Sequence, residues 1–219
     1  MNNCRVKEIK KVGFAYFATK RFFDIFLSFL GIVLLSWLLI LIALLVLILT
    51  GWPIIYRDQR VGRKGKMFYC LKFRSMRKDA NKRIEEYLSK EDLEKWQKER
   101  KVDKDPRITC IGKILRKTSL DELPQFFNIF IGQMSIIGPR PITSKELNEH
   151  FTPQERELLT SVRPGLFSNW SVNGRSTINF DSGLRQKYEL EYFEKRSIWF
   201  EIKLFFKVIG VVITMKGAK

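Results

Sequence analysis

Histidine is nearly absent: His150 is the single one in 219 residues. That all but excludes a His-clustered metal centre, though not one histidine acting as a base. Cysteine is sparse too. Cys4, Cys70 and Cys110 lie far apart and form no Cys-x-x-Cys pair, which argues against a disulfide scaffold and a structural zinc site. No Walker A segment and no Gly-x-Gly-x-x-Gly occurs, so neither a P-loop nor a dinucleotide-binding fold finds support. Internal repeats and low-complexity tracts are missing. Acid is scarce: 23 Asp and Glu face 40 Lys and Arg, a net charge of +17. Hydrophobic residues make up 45% of the chain, which excludes global disorder, and the length suits one domain or a little more. Such a basic balance nominates two partners, nucleic acid or an anionic membrane surface.

The positions of the charges bear on that choice. Phe22 to Leu49 is an apolar run whose one charge is Asp24. It exceeds the roughly 20 residues that span a bilayer core. A secretory signal has an apolar stretch of roughly 7–15 residues before a small-residue cleavage site. This run is longer and ends at Thr50-Gly51-Trp52-Pro53. Before it, residues 1–21 hold six bases and one acid; after it, residues 50–78 hold nine bases and one acid. Lys/Arg-rich flanks mark the cytoplasmic side, so two such flanks predict a re-entrant hairpin with both ends cytoplasmic. A single-span anchor is the alternative, because the middle offers only Gly31 and Ser36 as a cause of a break. Either way residues 1–52 form a membrane-inserted segment. Residues 53–219 form a cytoplasmic domain, where unpaired cysteines stay reduced.

Pro53 to Lys78 reads as strand, turn, strand, with the turn in Arg60-Val-Gly-Arg-Lys-Gly-Lys66. Two-residue alternation puts Phe68, Cys70, Lys72 and Arg74 on one face. Residues 79–104 read as one helix of mixed charge, touching the rest through Ile84, Leu88 and Trp96, and otherwise solvated. From Leu190 to Met215 the chain is aromatic and basic together. Ile198, Ile202, Phe205, Ile209 and Ile213 share a stripe at helical spacing, which predicts a helix lying in the membrane interface; a core helix of the soluble domain is the alternative. The expected fold class is α+β, mainly helical. It describes a monotopic membrane protein with a helix-break-helix insertion, a small β-hairpin and amphipathic interfacial helices.

Chemistry-bearing residues are densest from Asp105 to Gln125. Thr118 or Ser119 followed by Asp121 and Glu122 has the pattern of a helix N-terminus, and Ser119 with Glu122 alone would make an ordinary capping box. The functional alternative is that the positive helix end keeps Asp121 ionised and, with Arg116 and Lys117, holds a phosphate. Asp121 is then a candidate nucleophile or Mg2+ ligand. In Gly138-Pro-Arg-Pro141 two prolines limit the placement of Arg140, either as a solvated turn residue or as a phosphate clamp. Arg163-Pro-Gly165 and Asn173-Gly-Arg175 again set Arg in turns. Lys72, Arg74, Arg116, Arg140, Arg163 and Arg175 therefore suit a folded pocket for a small polyanion. They suit nucleic acid less well, since that would favour a basic stripe with stacking aromatics. The residues alone support a membrane-attached cytoplasmic domain that handles a phosphorylated anion.

Several stretches together resemble the bacterial sugar transferase family, the monotopic phosphoglycosyl transferases. They are Lys20-Arg-Phe-Phe-Asp24, Gln59-Arg-Val-Gly62, Lys72-Phe-Arg-Ser-Met76, Asp105-Pro-Arg-Ile-Thr109 and Thr118-Ser-Leu-Asp-Glu-Leu-Pro-Gln125. Met134-Ser135, Ile137-Gly-Pro-Arg-Pro141, Arg163-Pro-Gly165 and Asn173-Gly-Arg175 follow in family order, and together they cover nearly the whole chain. The resemblance implies that Asp121 and Glu122 are the catalytic pair and bind Mg2+, with Glu122 acting as metal ligand or as base. Asp121 would attack the β-phosphate of a UDP-sugar, release UMP and pass the sugar phosphate to polyprenyl phosphate. Lys72, Arg116, Arg140 and Arg175 match basic family positions and would hold phosphates. The implied location is the cytoplasmic face of a bacterial inner membrane, among anionic lipids, with no nucleic acid partner and room for a homodimer. Two stretches depart from the family pattern. Its mid-helix Ser-Pro is Ser36-Trp37 here, so Ser36 is the candidate helix break without its proline. Its Gly-Trp-Ala-Gln loop is Leu166-Phe-Ser-Asn-Trp-Ser171, so the sugar is not assigned. The rival function is a membrane-anchored basic scaffold that binds lipid or RNA without catalysis.

Overall fold

The computed structural model describes residues 5–6, 8–80, 83–99, 102, 105–173, 180 and 182–213. The apolar run forms two helices, α1 (Phe14–Leu34) and α2 (Ser36–Thr50), bent by 62°. Among the described residues no single helix is long and apolar enough to cross a membrane, but this bent pair meets both criteria together. The break falls on Leu35, at φ −98° and ψ 9°, and the Ser36 hydroxyl donates to the Val33 carbonyl at 2.8 Å. A hydroxyl at a helix bend can satisfy a carbonyl that the bend disturbs. Gly31, the other candidate for a break, is used for packing: a Cβ there would lie 3.2 Å from the Phe126 ring. Phe22, Phe26, Leu34, Trp37 and Ile48 are among many large apolar side chains that stay exposed on the pair. An apolar surface of that extent marks an interaction face.

The hairpin forms as β1 (Ile55–Val61) antiparallel to β2 (Met67–Phe73), with Tyr56 opposite Lys72. The helix expected over 79–104 is instead two, α3 (Ile84–Tyr87) and α4 (Lys90–Glu99). Ser89 interrupts them because its Oγ accepts the Asp92 N–H at 3.1 Å and starts α4. This excursion is also less detached than its charge suggests, since Arg107 lies over the Trp96 ring at 5.5 Å and Arg77 over Tyr87 at 5.8 Å.

Next come α5 (Cys110–Thr118), a 3-10 turn (Leu120–Glu122), α6 (Gln125–Phe130) and β3 (Ser135–Ile137). Helices α7 (Ser144–His150) and α8 (Pro153–Thr160) each open with a full capping box, Thr143 with Glu146 and Thr152 with Glu155. β4 (Gly165–Phe167) pairs parallel with β3, a ladder that pattern reading did not find. The chain closes with α9 (Asn169–Asn173), α10 (Leu184–Lys195) and α11 (Ile198–Ile213). α11 buries Glu201, Leu204 and Val208 and exposes Trp199, Ile202, Phe206 and Ile209. The expected stripe is thus divided: Ile202 and Ile209 point out, while Phe205 packs on the core. The fold is mainly helical with a small antiparallel hairpin. A large core gathers β1 to β4 and α6 to α11, and a smaller one packs Ile42 and Val46 of α2 on Phe73 and Leu115.

Candidate active site

Helix α5 lies directly on the end of β2. A Cβ at Gly112 would fall 1.9 Å from the Ser75 carbonyl oxygen, so only glycine allows the approach. Thr109 caps α5 by accepting the Gly112 N–H, and Arg116 Nε then donates to Ser75 Oγ at 2.9 Å. α5 stops at Ser119, which takes the left-handed conformation at φ 61°. The expected capping box at Ser119 and Glu122 therefore does not form; Ser119 ends one helix, and its side chain caps nothing. Thr118 Oγ1 turns back to the Ile114 and Leu115 carbonyls.

The following 3-10 turn carries Asp121, which is 9% exposed, and Glu122. Leu120 and Leu123 on either side pack with Ile42 and Val46 of α2. The acidic pair is thereby seated against the apolar segment. One Glu122 oxygen accepts from Lys72 Nζ at 3.1 Å and from Arg140 Nη2 at 2.9 Å. Arg140 owes its place to its neighbours. Gly138 and Gly165 come so close that a Cβ on Gly165 would meet the Gly138 nitrogen at 2.1 Å, and the Gly165 N–H donates to the Pro139 carbonyl at 2.7 Å. The Arg140 N–H donates to Glu189 Oε2 at 2.9 Å, and its guanidinium lies 5.6 Å from the Trp170 ring centroid.

Electrostatics follow from this packing. Burial opposes the charge on Arg140, but Glu122 outweighs it and holds the guanidinium well above its ordinary value. Burial pushes the Arg116 guanidinium down, with Asp121 and Asp105 pulling the other way. Burial raises the Glu189 carboxyl, against the Arg140 N–H that supports its charge. Burial pushes the Cys70 thiol to about 11, so this thiol beside the site is protonated near neutrality and is no rival nucleophile.

The structure brings Lys72, Glu122 and Arg140 into contact and sets Arg116 in the field of Asp121. Two candidates lie elsewhere. Arg74 Nη2 donates to the Thr50 and Gly51 carbonyls and to Thr50 Oγ1, a cation on the negative end of α2. Arg163 Nε donates to the Gly132 carbonyl at 2.7 Å. Arg175 lies outside the described residues, and Ser36 sits at the helix bend. Two contributors escaped the residue-level reading. Arg107 is 2% exposed, pairs with Asp105 at 2.6 Å, and among the described residues keeps Nη1 buried without a hydrogen-bond partner. An unpartnered buried donor is costly and suits an incoming anion. Its signal was the Asp105-Pro-Arg-Ile-Thr109 motif. Glu189 has no local signal, because it reaches Arg140 from far along the chain.

Among the described residues no three His, Cys, Asp or Glu side chains converge on a metal position. Asp121 and Glu122 are nonetheless oxygen donors of the kind Mg2+ takes when it binds through one or two carboxylates and a substrate phosphate. The donor set fits that mode and not a cage made by the protein alone.

Together these features define a mainly helical domain whose buried aspartate and ion-paired glutamate face fixed cations beside a bent apolar helix pair. The chain belongs to the bacterial sugar transferase family, whose model matches residues 15–215. It is 40% identical over 201 residues to the undecaprenyl-phosphate galactose phosphotransferase of Salmonella typhimurium, covering 91% of this chain and 41% of that protein. It is 36% identical to the exopolysaccharide production protein ExoY of Sinorhizobium fredii, across 91% of this chain and 88% of that one. The UDP-glucose:undecaprenyl-phosphate glucose-1-phosphate transferase of Escherichia coli is 36% identical over 203 residues, which are 91% of this chain and 41% of the relative. The chain thus spans less than half of the two phosphotransferases and most of ExoY.

Proposed function

We propose that the protein is a phosphoglycosyl transferase that moves a sugar 1-phosphate from a UDP-sugar to polyprenyl phosphate, at the cytoplasmic face of a bacterial inner membrane. Its place would be in polysaccharide assembly. One observation carries the reading: Asp121 sits in a turn packed on α2, next to a glutamate shared by Lys72 and Arg140. A carboxylate at the membrane face, surrounded by fixed cations, is placed to meet a water-soluble diphosphate and a lipid phosphate in turn. The Escherichia coli relative is named for both substrate classes, UDP-glucose and undecaprenyl phosphate, and the Salmonella relative for the lipid phosphate, which supports this reading.

An Asp121 carboxylate oxygen attacks the β-phosphorus of the UDP-sugar. The bond from that phosphorus to the bridging oxygen breaks, and UMP leaves with the bond's electron pair. The sugar phosphate is then held as an acyl phosphate. A polyprenyl phosphate oxygen attacks the same phosphorus, the carboxylate is released, and polyprenyl diphosphate-sugar forms. Such two-step transfer is covalent catalysis with ping-pong order. Lys72, Arg107, Arg116 and Arg140 hold phosphate oxygens, and the family resemblance gives Arg175 the same role. Glu122 holds Lys72 and Arg140 together and fixes where they meet the substrate. Mg2+ bound by Asp121, Glu122 and the diphosphate would neutralise charge on the phosphates.

The test is UMP release from a panel of UDP-sugars with Mg2+, run on the wild type and on Asp121→Asn. The Asn variant is expected to insert in membranes, release no UMP and form no phosphosugar adduct. Full activity in that variant would remove Asp121 as nucleophile. An intact, inserted wild type releasing no UMP across the panel would favour a binding or scaffold protein instead.

A further inference from the structure

A second cluster of cations lies at the other end of the hairpin. Arg21 comes from α1, Arg63 from the turn between β1 and β2, and Arg163 from the loop before β4. Together with Lys20, Asp24 and Phe17 they line one cavity. Each guanidinium is anchored on the main chain by part of its edge. Arg21 Nη1 and Nη2 donate to the Ile129 and Phe130 carbonyls at 2.8 and 2.9 Å. Arg63 Nε donates to the Ser161 carbonyl at 3.3 Å, and Arg163 Nε to the Gly132 carbonyl at 2.7 Å. A Cβ placed on Gly132 would lie 3.5 Å from Arg21 Cζ and 4.0 Å from Arg163 Nε, so those two groups flank one residue.

Among the described residues none of the three arginines makes an ion pair. The nearby acids are already engaged: Asp24 accepts from Ser135 Oγ and the Ile136 N–H, and Glu201 takes Lys20. Burial, then Arg21 and Arg63, push the Arg163 guanidinium down, with Asp24 pulling the other way. Three like charges gathered by main-chain anchors, against the single carboxylate of Asp24 in the cavity lining, make a receptor for an anion. The rim shows which anion. Phe17 is 41% exposed, Phe130 41% and Ile131 63%, and the last two adjoin the carbonyls that hold Arg21. An apolar rim around an arginine cradle, at the start of the apolar helix, fits a phosphodiester that arrives with acyl chains. The cluster is also separate from the acidic pair. Lys72 stands five residues along β2 from Met67, about 17 Å at the usual strand rise, and Arg63 lies beyond Met67 in the turn.

We propose that Arg21, Arg63 and Arg163 form a binding site for the phosphate headgroup of an anionic phospholipid, distinct from the substrate site. The proposal rests on membrane insertion of α1 and α2 and not on the transfer reaction. Its test is native mass spectrometry of the full chain in detergent with added phosphatidylglycerol or phosphatidylcholine, alongside UMP release measured separately. The wild type is expected to retain one phosphatidylglycerol at concentrations where phosphatidylcholine is not retained. Retention should fall roughly fivefold in Arg63→Gln and roughly 25-fold in Arg63→Gln with Arg163→Gln. Excess inorganic phosphate should not displace the lipid, and UMP release by Arg63→Gln should match the wild type. Equal retention of both lipids by the wild type would overturn the proposal even if the double variant fails to fold. Undiminished retention by the variants, or displacement by inorganic phosphate, would overturn it as well. Loss of UMP release in Arg63→Gln would put the cluster in the substrate site and do the same.

Discussion

Glu122 spends one oxygen on two cations, and both partners are only partly exposed. Replacing it with Gln keeps the shape and frees Lys72 and Arg140 to shift. Misplacement of about 1 Å can cost on the order of 10²-fold in rate, and removing one partner of a largely buried ion pair costs on the order of 3–5 kcal/mol. Glu122→Gln should therefore lower kcat/KM for UMP release about a hundredfold and lower the midpoint of thermal unfolding as well. Glu189 acts one step further out, through the Arg140 backbone. An acid whose carboxyl is raised in the folded state stabilises the fold below its unfolded value of about 4.3 and loses that contribution as pH rises through the folded value. Wild-type protein should lose stability relative to Glu189→Gln as pH rises from about 4 towards neutrality, a trend read by thermal unfolding across pH. The family resemblance singles out the acidic pair, since Glu85-Glu86 and Glu91-Asp92 are adjacent acids too and the residues alone leave a plain capping box open. The local geometry was not legible in the sequence. Ser119-x-x-Glu122, Thr143-x-x-Glu146 and Thr152-x-x-Glu155 carry the same signature, and only the last two become caps. Ser119 differs because the chain turns left-handed there and Glu122 finds cations in place of a backbone N–H.

At the scale of elements, the hairpin and the long apolar helices follow from period and length, so they were readable. Strands β3 and β4 were not, since three residues each give no alternation to detect and their pairing depends on two glycines far apart in sequence. The split between α3 and α4 was missed because Ser89 looks like one more polar residue in a charged helix. The bend at Leu35 is the element on which topology turns. Here it exists with a Ser36 hydroxyl and no proline. With both flanks basic, the ends of the pair should emerge on one side. In oriented vesicles Cys4 and the exposed Cys110 should both react with an impermeant maleimide offered from the cytoplasmic side. Reaction of Cys4 only from the outside would establish a span.

In the whole molecule, the bent pair and the remaining chain share their interiors. Leu27 packs on the large core, and Ile42 and Val46 of α2 complete the small one. Tyr16, Tyr192, Lys20 and Glu201 form a connected polar group linking α1 to α10 and α11. Asp24, 4% exposed, accepts from Ser135 and the Ile136 N–H at the start of the strand that leads to Arg140. The boundary near residue 52 was drawn from composition, and the packing runs across it. Cutting there would expose the apolar Phe73 and Leu115 and take from Ser135 and Ile136 the carboxylate that fixes them. Apolar surface returned to water costs about 25 cal/mol per Å², against a total stability of about 5–15 kcal/mol for a domain. A fragment of residues 53–219 should therefore aggregate or lack a cooperative unfolding transition. Asp24→Ala in the full chain should lower the midpoint of unfolding in detergent and reduce UMP release, because β3 and Arg140 lose the same support. A soluble, cooperatively folding fragment 53–219 with wild-type spectra would show that the membrane helices are only an anchor. The shared cores of α2, β2 and α5 argue for the opposite result, since the turn that holds Asp121 is built on α2.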